Sequence, residues 1–289
     1  MASKNNNEAL GRTATSLASL WELRRRIAVV APLSVLGALS LISVCFHRYT
    51  APRLQSWPEY ELTPERWEVT QRPNWIRRDV VREAVNLGDL HQLSLLDPQL
   101  AEKTSRAFLL CSWVKEVNRV EKRYPAKVRV DVTYRKPVAM VEGVDDQMEE
   151  EGVPYFPVDE SGVLLPTSDF SKIDLGHYPR ICIPNVSLQG PAGASWGDPR
   201  IEQAARIAGA ILEHYQDWGI DRIEMVPSPA DGFGGKGPFL YRLVTPRGLV
   251  IDFGHAPGLE DSAEPTVGQK IRWLIDYKQK NGKLSDLDA

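Results

Sequence analysis

Residues Ile27–Phe46 read IAVVAPLSVLGALSLISVCF, 20 positions without a charge. A helix rises about 1.5 Å per residue, so such a stretch reaches roughly 30 Å, the thickness of a bilayer's hydrocarbon core. A helix in lipid satisfies its own backbone, so Pro32 and Gly37 do not forbid this reading. Arg24, Arg25 and Arg26 stand immediately before the stretch, and positive charge favours the cytoplasmic side. We therefore read residues 27–46 as a single transmembrane helix, with the N-terminus inside and the long C-terminal part outside. Arg48 and Arg53 follow the span and weaken the asymmetry. A cleaved signal peptide would carry an apolar region of about 7–15 residues ending in an A-x-A-like site. This stretch is longer and ends Ser43-Val44-Cys45. Val44 also stands where a lipid-bearing Cys45 would need a small residue, so Cys45 reads as part of the span.

Residues 1–26 are polar, with an NNN run, and read as a disordered cytoplasmic tail. Residues 47–64 carry Pro52, Pro58 and Pro64 and read as an extended linker. The formal net charge is −3, so the whole chain is not built to hold a polyanion. Three cysteines with no C-x-x-C spacing exclude both a disulfide scaffold and a zinc cluster. Cys111 and Cys182 could bridge outside the cytoplasm or be buried apolar positions; the sequence leaves both open.

Beyond the linker the pattern is α+β. RWEVT (Arg66–Thr70) is a candidate first strand. From Trp75 the residues Ile76, Val80, Ala84 and Leu87 share one helical face, and Gly88 ends it. Asp97-Pro98 predicts the start of a second helix, with Leu100, Thr104, Ala107, Phe108 and Cys111 on its stripe. Val128, Val130, Val132 and Tyr134 then alternate with Lys127, Arg129, Asp131 and Thr133, and Tyr124-Pro125-Ala126 turns back from a strand around Val114–Arg123. The order β-α-α-β-β fills residues 65–142, with both helices on one sheet face. From residue 143 a larger mixed sheet domain with flanking helices is predicted. It opens on the acidic tract DDQMEEEG, then shows strands in YFPVDESGVLLP, RICIPNV, IDRIEMV, FLYRLVT and GLVIDFG. Asp198-Pro199 caps one helix, whose stripe is Ile201, Ala204, Ala208, Ile211 and Tyr215. Thr266 and Gln269 box the last, with Val267, Ile271, Leu274 and Ile275 facing inward.

The chemistry-bearing motifs fail on their own terms. DGFGGKGP lacks the P-loop spacing, since Gly237 stands where a magnesium-binding Ser or Thr is needed. GASWG (Gly193–Gly197) matches G-x-S-x-G, and Asp252 and His255 follow in hydrolase order. Yet Ser195 is not placed between a strand and a helix. The five histidines show no paired metal-ligand spacing, and the acidic tract lacks a calcium-loop spacing. No metal, cofactor or small-molecule substrate is implied, and we expect no enzyme.

The stretch WVKEVNRVEKRYPAKVRVDVTYRKPVAMVE carries a specific resemblance. Trp113-Val114 leads a strand, Tyr124-Pro125 turns, Val128, Val130 and Val132 alternate, and Arg135-Lys136-Pro137-Val138-Ala139 closes the run. This resembles the end of the POTRA domain in the FtsQ/DivIB bacterial cell-division family. YFPVDESGVLLP, GPAG before a helix, and YRLVTPRGLVIDFG before another helix resemble that family's β-domain. With the basic tail and single span, the resemblance covers nearly the whole chain. It implies a POTRA module over residues 65–142 and a β-domain over 143–289. It also implies a non-enzymatic, single-pass protein of the cytoplasmic (inner) membrane, its bulk on the extracytoplasmic face at the division septum. The partners it implies are other bitopic division proteins, an FtsB/FtsL or DivIC-like coiled-coil pair.

The chain departs from that pattern in three places. One residue is inserted between Trp113 and Val120 relative to that pattern, which predicts a β-bulge. The acidic tract at 145–151 is long. The family's strand after the last helix, which carries much of its partner contact, has no counterpart in NGKLSDLDA. That leaves GLVIDFG as the exposed edge. Leu249, Val250, Ile251, Asp252 and Phe253, with Arg272 on the last helix, are then the expected partner-binding residues.

In Val120–Ala139, Lys and Arg outnumber Asp and Glu six to two, the composition of a nucleic-acid surface. Outside the cytoplasm this face meets no chromosome, and we expect a solvated or partner-binding face with the valines turned to the helices. Two competing functions are a POTRA-type receptor for outer-membrane or secreted proteins and a membrane-anchored hydrolase using Ser195. The first lacks tandem modules and barrel strands; the second lacks an oxyanion-hole segment.

Overall fold

The computed structural model describes residues 32, 34–46, 48, 59–91, 93–143, 154–187, 190–227 and 237–282. The expected tail at 1–26, the start of the span, most of the linker, the acidic tract at 145–151, Lys236 and residues 283–289 lie outside them. The chain divides into two units, Met1–Glu61 with Ser94–Asp97, and Leu62–Leu93 with Pro98–Ala289.

In the first unit residues 34–46 are helical. Val35, Leu36, Leu39, Leu41, Ile42, Val44 and Phe46 are all exposed on that helix. Among the described residues no helix is long and apolar enough to cross a membrane.

The second unit holds two mixed sheets. The first is built from β1 (Trp67–Val69), β2 (Val114–Arg123) and β3 (Lys127–Tyr134), in the order β1-β3-β2. β1 runs parallel to β3, and β2 antiparallel. Helices α1 (Val80–Leu87) and α2 (Leu100–Leu109) lie between β1 and β2 in the chain. Val128, Val130 and Val132 are buried while Lys127, Arg129, Asp131 and Thr133 are exposed, as the alternation predicts. A slip of one residue would put all three valines into water, at a cost of roughly 1.5–3 kcal/mol each. Gly88 closes α1 where a Cβ would stand 2.2 Å from the Cβ of Ala107, so the two helices meet as closely as they do only with glycine there.

Both helices begin later than the sequence suggests. α1 starts at Val80, where Asp79 caps it by accepting from the N–H groups of Val81 and Arg82. Ile76 is buried in the turn before it. α2 starts at Leu100 with Gln99 at its N-cap, so Asp97-Pro98 precede the helix rather than cap it. Strand β2 has two register shifts against β3, between Val114 and Glu116 and between Val117 and Arg119, where one insertion was expected.

The second sheet has the order β5-β4-β6-β7-β8-β9. Its strands are β4 (Pro137–Glu142), β5 (Tyr155–Asp159), β6 (Arg180–Cys182), β7 (Arg222–Met225), β8 (Tyr241–Val244) and β9 (Val250–Gly254). Pro137–Glu142 pairs with β5 and β6, so the change of sheet falls at Arg135-Lys136 and not after residue 142. Helix α3 (Pro199–Ile211) is capped by Asp198 with Pro199 at its first position. Its Ile201, Ala204, Ala208 and Ile211 are fully buried in the core under the sheet. Tyr215 follows on a separate helical turn, closed by Gly219 in the left-handed conformation. Helix α4 (Val267–Asn281) ends the described fold. Gln269 accepts from the Thr266 N–H at its start, and Val267, Ile271, Leu274 and Ile275 pack on the core.

The two sheets are fastened by buried charge. Asp169 is 7% exposed; it accepts from the Trp113 indole N–H at 2.7 Å and from Arg78 at 3.1 Å. Arg135 donates to Asp159 at 2.6 Å, and Asp159 also accepts from the Ser161 and Val163 N–H groups. Breaking one partner of a buried pair leaves the other uncompensated, typically at about 3–5 kcal/mol. We expect Asp169→Ala to lower stability by about 3 kcal/mol, whereas Arg77→Ala, which removes the more exposed pair with Asp174, costs under about 1 kcal/mol. Urea denaturation of the two variants checks the contrast.

Candidate functional site

Each sheet leaves two edges, and three of the four are spoiled for pairing. β1 is three residues long. β2 is broken by its two register shifts and carries Lys115, Arg119, Lys122 and Arg123. β5 is covered by the following segment, whose Leu164 bridges Val158. Among the described residues nothing pairs with the outer side of β9.

The hairpin that makes β9 fixes which of its backbone groups are free. Gly248, at φ +87°, closes the turn by donating to Thr245. The Thr245 N–H donates to the Leu249 carbonyl at 3.0 Å. Bonded and non-bonded pairs alternate along an antiparallel ladder. With Leu243 opposite Ile251 and Arg242 opposite Asp252, Leu243 and Ile251 exchange the ladder bonds. The N–H and C=O groups of Val250 and Asp252 therefore point away from β8, into the open edge. Their side chains lie on the solvent face, while Ile251 and Phe253, two residues apart, share the core face.

Against this edge α4 is held by one carboxylate. Glu264 accepts from the His255 N–H at 2.8 Å, from Lys270 Nζ at 2.5 Å, and meets His255 Nδ1 at 2.6 Å. Lys270 is 8% exposed; it also donates to the His255 carbonyl and sits 4.8 Å from the Phe253 ring centroid. Burial alone would raise the Glu264 carboxyl. The hydrogen bonds from Lys270, the His255 ring and the His255 and Asp261 N–H groups outweigh it and hold the group at about 2. Gly254 has φ +85°, and a Cβ there would lie 2.1 Å from Glu264 Oε1, so only glycine leaves room for the carboxylate.

Between β9 and α4 runs a groove of about 600 Å³, lined by Leu240, Ile251, Phe253, Trp273 and Leu274 with Asp252, Glu264 and Lys270 among its polar members. Of the residues expected from the sequence, Ile251, Asp252 and Phe253 line it. Leu249 is half-buried against the core, Val250 is 47% exposed beside the groove, and Arg272 is exposed on α4 without lining it. Trp273 and Tyr277, 59% and 46% exposed, were missed. The signal was available: two aromatics four apart on α4, off its buried stripe.

The hydrolase constellation does not assemble. Ser195 bridges Val163 on the β5 side of the sheet, and its hydroxyl accepts from the Gly197 N–H. Asp252 and His255 belong to the β9 side, five strand spacings away, or roughly 24 Å. His255 is engaged by Glu264. Cys111 and Cys182 are free thiols, and burial pushes the Cys111 thiol up to about 12. Compared with protein-family models and with curated proteins, the chain matches none.

Because Glu264 is held below its ordinary 4.5, its contribution is full above pH 4.5 and is lost as pH falls through about 2. We expect acid titration of the folded chain to show stability falling over that window. In Glu264→Gln the fall in that window shrinks, and stability at pH 7 drops by about 3 kcal/mol. Urea midpoints measured from pH 7 to pH 2 check both.

Proposed function

We propose that this protein is a non-enzymatic, single-pass scaffold of the bacterial division machinery that holds other bitopic division proteins on the extracytoplasmic face, at the septum. The observation that carries the proposal is the open edge of β9 beside the groove and the exposed Trp273. An edge with unpaired N–H and C=O groups accepts an added strand, and a flanking apolar groove seats that strand's side chains. The β-α-α-β-β order and the larger sheet behind it agree with what the resemblance to FtsQ/DivIB implies. The anchor reading draws on the exposed apolar helix at 34–46 following Arg24–Arg26.

The charged face of the β2–β3 hairpin argues less well for nucleic acid. Lys127 pairs with Glu68 and Arg123 with Glu121, so part of its positive charge is already neutralised. Isolated exposed pairs of this kind are worth under about 1 kcal/mol and suit a solvated face.

A photoreactive residue at Val250 in living cells should crosslink small single-span division proteins. Val250→Pro, which removes an outward N–H while leaving the β8 ladder intact, should abolish their recruitment. Crosslinks to outer-membrane precursors instead, or undiminished recruitment by the proline variant, would overturn the proposal.

A further inference from the structure

The solvent face of the six-stranded sheet carries a row of charges that alternates in sign along a continuous chain of ion pairs. Glu142 on β4 pairs with Arg180 on β6 at 2.9 Å, and Arg180 pairs with Asp221. Arg222 on β7 pairs with Asp221 at 3.3 Å and with Glu224 at 2.6 Å. Arg242 on β8 pairs with Glu224 at 2.6 Å. Asp221 and Glu224 are thus each held between two arginines. Their hydrogen-bonded pairs keep the Glu224 carboxyl below its ordinary range despite burial, which acts the other way.

The row ends on Asp252. It stands opposite Arg242 in the register of β8 and β9, yet Arg242 is committed to Glu224. Among the described residues Asp252 has neither a hydrogen bond nor an ion pair, and the next strand position is empty. Its backbone N–H and C=O point to that position.

We infer that the strand received by β9 carries an arginine or lysine directly opposite Asp252, with apolar residues on either side of it. The inference rests on the edge-pairing reading above and specifies the partner's chemistry. The basic side chain extends the alternation by one step. Its two neighbours fall on the opposite face, beside Ile251 and Phe253 and over the groove that Trp273 and Leu274 complete. A second copy of this chain fits poorly: antiparallel pairing about Asp252 sets two carboxylates opposite each other, and like charges in that place destabilise a ladder. The alternation therefore selects a different, basic strand and disfavours self-pairing.

The test uses the full chain in detergent and two fluorescein-labelled peptides with polyethylene-glycol tails, Val-Thr-Val-Arg-Val-Thr-Val and its counterpart with Glu for Arg. Fluorescence anisotropy gives the two affinities. A cross-strand charge pair is worth up to about 1 kcal/mol, so the Arg peptide should bind roughly 5-fold more tightly. Asp252→Asn should erase the preference and Asp252→Lys should invert it, while Val250→Pro should weaken both peptides. Equal affinities on the unsubstituted chain, with both still weakened by Val250→Pro, would overturn the charge rule and leave the edge reading standing. Binding of neither peptide would overturn the inference together with the edge reading on which it rests.

Discussion

The open edge has its shape because Glu264 is where it is. One carboxylate reaches the loop after β9 through the His255 backbone and ring, and reaches α4 through Lys270. Neither connection is hydrophobic. The apolar stripe of α4 would be content with several rotations over the core, since Leu274 and Ile275 are only half-buried. The charged triad removes that freedom. It sets which side chains of the helix overhang the strand, and so why Trp273 faces a groove. Gly254 is part of the same device, because no other residue leaves the carboxylate its place.

A similar logic joins the two sheets. The small three-stranded sheet and its two helices bury a core of their own around Trp67, Phe108, Val128, Val130 and Val132, and the Trp113 ring donates its N–H to a carboxylate of the larger sheet's loop. Gly193 presses against the Ser112 backbone, where a Cβ would come within 3.0 Å of its Cα. Contacts of this kind are directional. They hold the small sheet in one orientation on the large one, as apolar packing alone would not.

Much of the fold was legible in the sequence, and the failures have physical causes. β3 could be read directly because one face is core and the other is water, so its alternation is strict. The starts of α3 and α4 could be read because Asp198-Pro199 and Thr266/Gln269 are local devices that need no tertiary help. β2 was harder: Val114, Val117 and Val120 recur every three residues, a spacing neither strand nor helix explains. It arises because each interval holds one register shift. β4 could not be assigned to either sheet because it is buried at every residue but its last, which leaves no pattern to say whose core it enters. At the candidate site the edge strand was legible from its apolar run and its place after a glycine turn. The Glu264 network was not, since hydrogen bonds between a loop and a helix leave no periodicity.

The irregularity of β2 has a consequence beyond its own sheet. Among the described residues it is the longest edge strand, and a regular strand of that length would template the backbone of any extended chain nearby. Its two shifts interrupt the ladder and its basic side chains repel a regular neighbour. Among the described residues this leaves the outer side of β9 as the edge least obstructed for pairing. Removing the extra residue at both shifts would smooth the strand into a second open edge, and the damage would appear as misassembly and aggregation with the β9 edge untouched.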